Sequence, residues 1–93
     1  MATQKDIIDD RLVISYAETL TPISEIAILL DISVGQAREM LSPETYHGKL
    51  YWKTVAMKAM DIRKSNIELA DAGSPSAADH VQQYLNRIYN DEG

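Results

Sequence analysis

Gln36 and Arg38 stand two residues apart in the short stretch VGQAREM, residues 34–40. A guanidinium presents parallel N–H donors and can bind the O6 and N7 edge of guanine. A carboxamide presents one donor and one acceptor and can bind the N6 and N7 edge of adenine. Ser33 and Gly35 can approach a phosphate through a hydroxyl or a backbone N–H, and Val34, Glu39 and Ser42 share the same outward side. Glu39 repels phosphate unless it accepts from cytosine, so a solvated Arg38–Glu39 surface is the plain alternative. Residues 49–64 add Lys49, Lys53, Lys58, Arg63 and Lys64 against the single carboxylate of Asp61. Lys49 and Lys53 are one helical turn apart and could hold backbone phosphate next to Arg38. A solvated face balanced by acidic residues elsewhere is the competing reading.

Other chemistry finds little support. His47 and His80 are far apart in sequence, and neither has partners at metal-ligand spacing, so both are expected at the surface. His47, beside Gly48 and near Lys49, could touch a phosphate. Asp9 and Asp10 are adjacent and would point about 100° apart on a helix, which suits a dipole-complementing first turn better than an acid/base pair. Glu68 and Asp71 share a face with Lys64, and ion pairing accounts for them. No glycine-rich phosphate loop, Gly-x-Ser-x-Gly elbow or His-Glu-x-x-His motif occurs. With no cysteine there is no disulfide, thiolate site or cysteine nucleophile. We therefore expect no enzyme activity, no metal and no cofactor.

The 93 residues suffice for one small domain with little self-sufficiency. A hydrophobic content of 45% excludes a disordered chain. The longest apolar run, Ile26 to Leu30, is far short of the roughly 20 residues that span a bilayer. The start, MATQKDIIDDR, lacks the layout of a signal peptide. These features lead us to expect a reducing cytoplasm, with no membrane partner. The net charge of −5 weighs against nucleic acid as a partner, but it is unevenly spread. Residues 1–48 hold three basic and eight acidic side chains, while residues 49–93 hold six of each. A DNA-facing surface must therefore be local.

The apolar spacing is helical nearly throughout, which predicts an all-α chain. A first helix is expected from about Lys5 to Leu20, on the stripe Ile8, Leu12, Tyr16 and Leu20, with Asp6, Asp9 and Asp10 in its first turns. Thr21 as N-cap and Pro22 at the first helical position open a second, to Leu30. Asp31-Ile32-Ser33 breaks the chain. Ser33 caps a third helix, Val34 to Leu41, which Ser42-Pro43 stops. After a connector containing His47-Gly48, a long helix is expected from Lys49 to Ala72. Gly73 suits the left-handed position beyond it. Ser74-Pro75 then opens a last helix to about Tyr89, with a fraying tail after it. We divide the chain into residues 1–45, the first helix and the DNA-binding region, and residues 46–93, a helical hairpin for packing and oligomerisation.

Residues 21–42, TPISEIAILLDISVGQAREMLS, have the layout of two short helices meeting steeply over a three-residue turn. Ala27 is the small residue where the helices approach. Ile26, Leu30, Ile32, Ala37 and Met40 occupy the inward positions, and none carries charge. Asp31 takes the turn, where a residue tolerant of left-handed backbone is needed. This segment resembles the helix-turn-helix family of DNA-binding proteins, with an ordinary αα corner as the alternative. The resemblance makes residues 34–41 the recognition helix, lying in a major groove. Ile28 and Leu29 fall on the outer side of the preceding helix, and should pack under another helix or a neighbouring subunit.

Trp52, Val55, Ala59, Ile62, Asn66 and Leu69 follow alternating steps of three and four, an a/d seam with a polar residue at one a-like position. The seam either joins two subunits or packs on the chain's own helices. Ala70-Asp71-Ala72-Gly73-Ser74-Pro75-Ser76-Ala77-Ala78 is similar to the turn that follows the DNA-binding helices in phage terminase small subunits. The order of elements from about residue 7 to 88 matches that family as well. The resemblance implies a non-enzymatic protein that recognises viral double-stranded DNA for genome packaging, forms a homo-oligomer, often a ring, and presents DNA to a terminase large subunit, in the cytoplasm of a bacterial host or phage-infected cell. The chain departs from it in being short and acidic, without room for a long oligomerisation and large-subunit-binding tail, which bears on the ring and the large-subunit contact most. Two other readings stand beside it. One is a helix-turn-helix transcription regulator, dimeric through the Trp52–Leu69 seam. The other is a protein-interaction module that kept the fold without DNA binding and works through Ile28, Leu29 and the long helix.

Overall fold

The structure, a computed structural model, describes residues 8–92. The described residues form five helices and no strand, an all-α fold: α1 Asp10–Glu18, α2 Ile23–Leu30, α3 Val34–Met40, α4 Tyr46–Asp71 and α5 Pro75–Glu92. The chain divides into two compact units, one ending at Lys58 and the other beginning at Ala59, with α4 running through the boundary.

Local chemistry fixes most of the helix ends. Asp9 caps α1 by accepting from the Leu12 N–H at 2.9 Å. The expected start at Lys5 and the carboxylate of Asp6 lie outside the described residues. α1 stops two residues before the expected Leu20, which itself turns left-handed at φ 56°. The N–H of Leu20 bonds to the Ala17 carbonyl and that of Thr21 to the Tyr16 carbonyl. This 5→2 and 6→1 pair is the Schellman arrangement, made here without glycine. The N-cap of α2 is Pro22, one residue later than expected, and Ile23 is the first helical residue.

Asp31 adopts φ 56° and ψ 43°, as its place in the turn requires. The Ile32 N–H reaches back to the Ala27 carbonyl at 3.0 Å. Ser33 then opens α3 with a capping box. Its hydroxyl accepts from the Gln36 N–H at 3.0 Å, and the Gln36 side-chain oxygen accepts from the Ser33 N–H at 2.9 Å. Replacing Ser33 by Ala should cost about 1 kcal/mol of stability, read as a fall in the thermal midpoint. α3 ends at Met40, with Leu41 as its cap.

The core of the first unit gathers Ile8, Val13, Ala17, Ile26, Met40, Leu41 and Tyr51. Ile26, Ala27, Ala37 and Met40 are buried as the inward pattern requires, and Leu30 and Ile32 pack partly against the same core. The Tyr51 hydroxyl reaches the Thr21 carbonyl at 2.7 Å and the Trp52 indole N–H reaches the Leu41 carbonyl at 3.0 Å. These two bonds fasten α4 to the end of α1 and to the end of α3.

The long helix begins three residues before the expected Lys49, so His47-Gly48 is its first turn and not a connector. Thr45 starts it: its hydroxyl accepts from the Gly48 N–H at 2.9 Å, and its carbonyl accepts from the Lys49 N–H at 2.9 Å. Gly48 is buried, because α4 passes so close to the backbone of Ser42 that a Cβ would collide with the Ser42 carbonyl.

In the second unit, Gly73 at φ 101° ends α4 with the Ser74 N–H on the Leu69 carbonyl. The Ser74 hydroxyl accepts from the Ala77 N–H at 3.3 Å, and Pro75 is the first residue of α5. Both match the sequence pattern. α5 continues through Glu92, past the expected end at Tyr89, with Arg87 and Asp91 one turn apart on its last stretch. The Asn66 amide donates to the Tyr84 hydroxyl at 2.6 Å and ties the two arms of the hairpin.

Candidate nucleic-acid interface

α3 presents the outward set that its sequence implies. Ser33, Val34, Gly35, Gln36, Arg38 and Glu39 are exposed, while Ala37 and Met40 face the core. The Arg38 guanidinium has no ion pair among the described residues. Gln36 is less free. Its side-chain oxygen is committed to the capping box, so a bidentate grip on adenine, which needs oxygen and nitrogen together, would first break that cap. Ser33 uses its oxygen as an acceptor, which leaves its own O–H proton to donate. Ser42 is half-buried and its hydroxyl donates to the Glu44 carboxylate.

Lys49 and Lys53 are exposed at positions one turn apart on α4, and Trp52 lies one turn after Lys49 and about 100° round the helix from Lys53. The Trp52 indole is bonded to the Leu41 carbonyl at the end of α3, whose last turn carries Arg38. Glu44 shares the neighbourhood. The Ser42 hydroxyl, then its own backbone N–H, then the charge of Lys49 hold its carboxyl below the usual value, so the cation of Lys49 is partly offset. Lys58 is exposed as well.

The structure corrects the reading of His47. It is not a surface residue: its side chain is 17% exposed, and its Nε2 lies 3.3 Å from the Asp10 carboxylate. The same carboxylate accepts from the Tyr46 hydroxyl at 2.7 Å. The early start of α4 is the cause, since it turns His47 toward α1. Spacing could not reveal a cluster joining residue 10 to residues 46 and 47. It clasps α1 to α4. Asp9 and Asp10 sit at the start of α1 as expected, and His80 is exposed. Among the described residues no group of three or more His, Asp or Glu side chains could hold a metal ion, and no helix is long and apolar enough to cross a membrane.

Two tyrosines of this unit titrate high. Burial pushes Tyr51 up, and the hydrogen bond to Asp10, followed by the charge of Asp10, raises Tyr46. A folded value above the unfolded one stabilises in full below the ordinary tyrosine value of about 10. That contribution is lost as pH rises through the raised folded values. Alkaline titration followed by tyrosine absorbance should show both phenols ionising late, with unfolding resistance falling over the same range. Tyr46→Phe and Tyr51→Phe should each remove one late-ionising phenol.

The residues with the pattern of an association surface are divided. Ile28 and Leu29 are 74% and 62% exposed, so neither packs under another helix among the described residues. Trp52 and Val55 pack on the first unit. Ala59 is half-buried, Ile62 and Leu69 are exposed, and Asn66 bonds to Tyr84 within the hairpin. The chain matches no family model, no curated protein and no solved structure.

Proposed function

We propose that the chain is a non-enzymatic double-stranded-DNA-binding protein of helix-turn-helix type that acts as a homo-oligomer, in the manner of a phage terminase small subunit. One observation carries the reading. Helices α2 and α3 meet over the turn Asp31–Ser33, with Asp31 left-handed and Ser33 and Gln36 forming a capping box, and the outer face of α3 carries an exposed Arg38 that has no ion pair among the described residues. A short helix whose start is fixed by its own side chains presents its outer face with little entropy left to lose on binding. In this arrangement Arg38 reads a guanine edge. Lys49 and Lys53 hold the backbone, Ser33 donates to a phosphate, and Gln36 stiffens the start of the reading helix. Val34 and Gly35 allow close approach.

Substitution separates the roles. Arg38→Ala should cost about 1–3 kcal/mol of binding and relax base preference at one position, whereas Lys49→Ala and Lys53→Ala should weaken all duplexes alike and lower the salt slope by about one each. Selection of bound sequences from a random duplex pool, with affinity measured on the winners, reads both effects. Equal selectivity in Arg38→Ala and the parent chain would remove α3 as the reader. The exposure of Ile28 and Leu29 favours a second reading, a protein-interaction module, under which Ile28→Asp abolishes function and Arg38→Ala leaves it intact.

A further inference from the structure

The second unit is nearly without an interior. Among its described residues Ala77 is the one fully buried apolar side chain, while Met60, Ile67, Leu85 and Ile88 are all exposed. Two helices that bury so little cannot offset the conformational entropy of ordering them. Along the hairpin runs an open apolar groove of about 600 Å³, in which Met60 and Ile67 of α4 face Val81, Leu85 and Ile88 of α5. The α4 pair is seven residues apart, and the α5 set follows the i, i+4, i+7 spacing of a core-facing stripe.

We infer that this groove is filled by the same hairpin of a second copy of the chain, giving an antiparallel four-helix bundle. The charges within the groove point to a second copy. Arg63, Lys64 and Glu68 line it; Lys64 and Glu68 lie symmetrically about Asn66, and none of the three has an ion pair among the described residues. A twofold axis crossing α4 near Asn66 sets Lys64 against Glu68 of the partner subunit and repeats the pair by symmetry, which is what an isologous interface requires. Size agrees. The 18 residues of α5 extend about 27 Å. Beside a second helix 8–10 Å away they give a footprint on the order of 500 Å², of the same order as the roughly 800 Å² per partner of a stable interface. Asn66 fixes the arms of one hairpin through Tyr84, so the joining surface is the groove and not the Trp52–Leu69 seam. This inference rests on the homo-oligomer part of the reading above and not on its DNA part. Association is measured on protein alone, so either can fail without the other.

Sedimentation equilibrium of the full chain tests it. The parent chain should sediment at twice the chain mass, and Leu85→Asp at the single-chain mass, with the helical circular dichroism of the hairpin reduced and that of the first unit retained. Lys64→Glu, an exposed change that does not threaten folding, should weaken association about tenfold. Combining Lys64→Glu with Glu68→Lys should restore it. A single-chain mass for the parent at about 100 µM, well above the micromolar limit of weak standard-size interfaces, would overturn the inference. So would an unchanged mass for Leu85→Asp, or a double reversal that fails to recover association.

Discussion

Gly48→Ala should be among the most damaging single-methyl changes this chain can suffer. Glycine within a helix normally costs about 1 kcal/mol relative to alanine, so the substitution would be expected to help. Here the added Cβ meets the Ser42 backbone, and that backbone cannot yield cheaply. The Ser42 carbonyl accepts from the Thr45 N–H at 3.0 Å and also lies 2.9 Å from the Thr45 hydroxyl. That hydroxyl in turn accepts from Gly48 and lies 2.9 Å from the Met40 carbonyl. Relieving the collision means breaking this knot and lifting the start of α4 away from the end of α3. We expect a net loss of about 2 kcal/mol or more, a fall in the thermal midpoint of roughly 8–16 °C. Gly35→Ala is the control. A Cβ there meets only the Ser33 hydroxyl oxygen, at an ordinary contact distance of 3.8 Å, so the same chemical change should be neutral or stabilising. Equal midpoints for the two variants would show that α4 does not approach Ser42 as described.

Ile26→Ala should cost about 2–5 kcal/mol, because Ile26 is fully buried at the centre of the first unit's core. A small domain has little more stability than that to lose, so the variant should be partly unfolded near physiological temperature and should lose duplex binding with its fold. Two residues along, Ile28 is exposed, and Ile28→Ala should stay within about 0.5 kcal/mol. Chemical denaturation of the pair tests the inward face of α2 directly, since rotating the helix by half a turn would exchange the two results.

Those inward positions were legible in the sequence because helical period and side-chain chemistry agree there. So were the left-handed Asp31, the Ser33 cap and the Gly73-Ser74-Pro75 turn, each fixed by residues close in the chain. Where the two disagree, the reading failed. Gly48 has the look of a breaker, yet tertiary approach to Ser42 requires a glycine inside the helix, and the whole start of α4 moves with it. Leu20 is left-handed although leucine rarely is. No local signal marks it, and only the bonds from Leu20 and Thr21 back to Ala17 and Tyr16 show why the helix turns there. The Asp10–Tyr46–His47 clasp joins residues far apart in the chain, which spacing cannot connect. In the candidate interface, exposure of Arg38 follows from period alone. The engagement of Gln36 could have been foreseen, since Ser-x-x-Gln is itself a capping-box signature.

On the proposed function, this acidic chain binds duplex DNA through a local surface on α3 and the start of α4. Fluorescence anisotropy of a mixed pool of labelled duplexes, titrated with the full chain between about 50 and about 200 mM salt, tests it most directly. With Lys49 and Lys53 on phosphate, affinity should fall about tenfold over that range for each engaged subunit. No binding at the lower salt, with subunit concentration well above micromolar, would contradict the account and leave the exposed Ile28–Leu29 surface as the place to seek a protein partner.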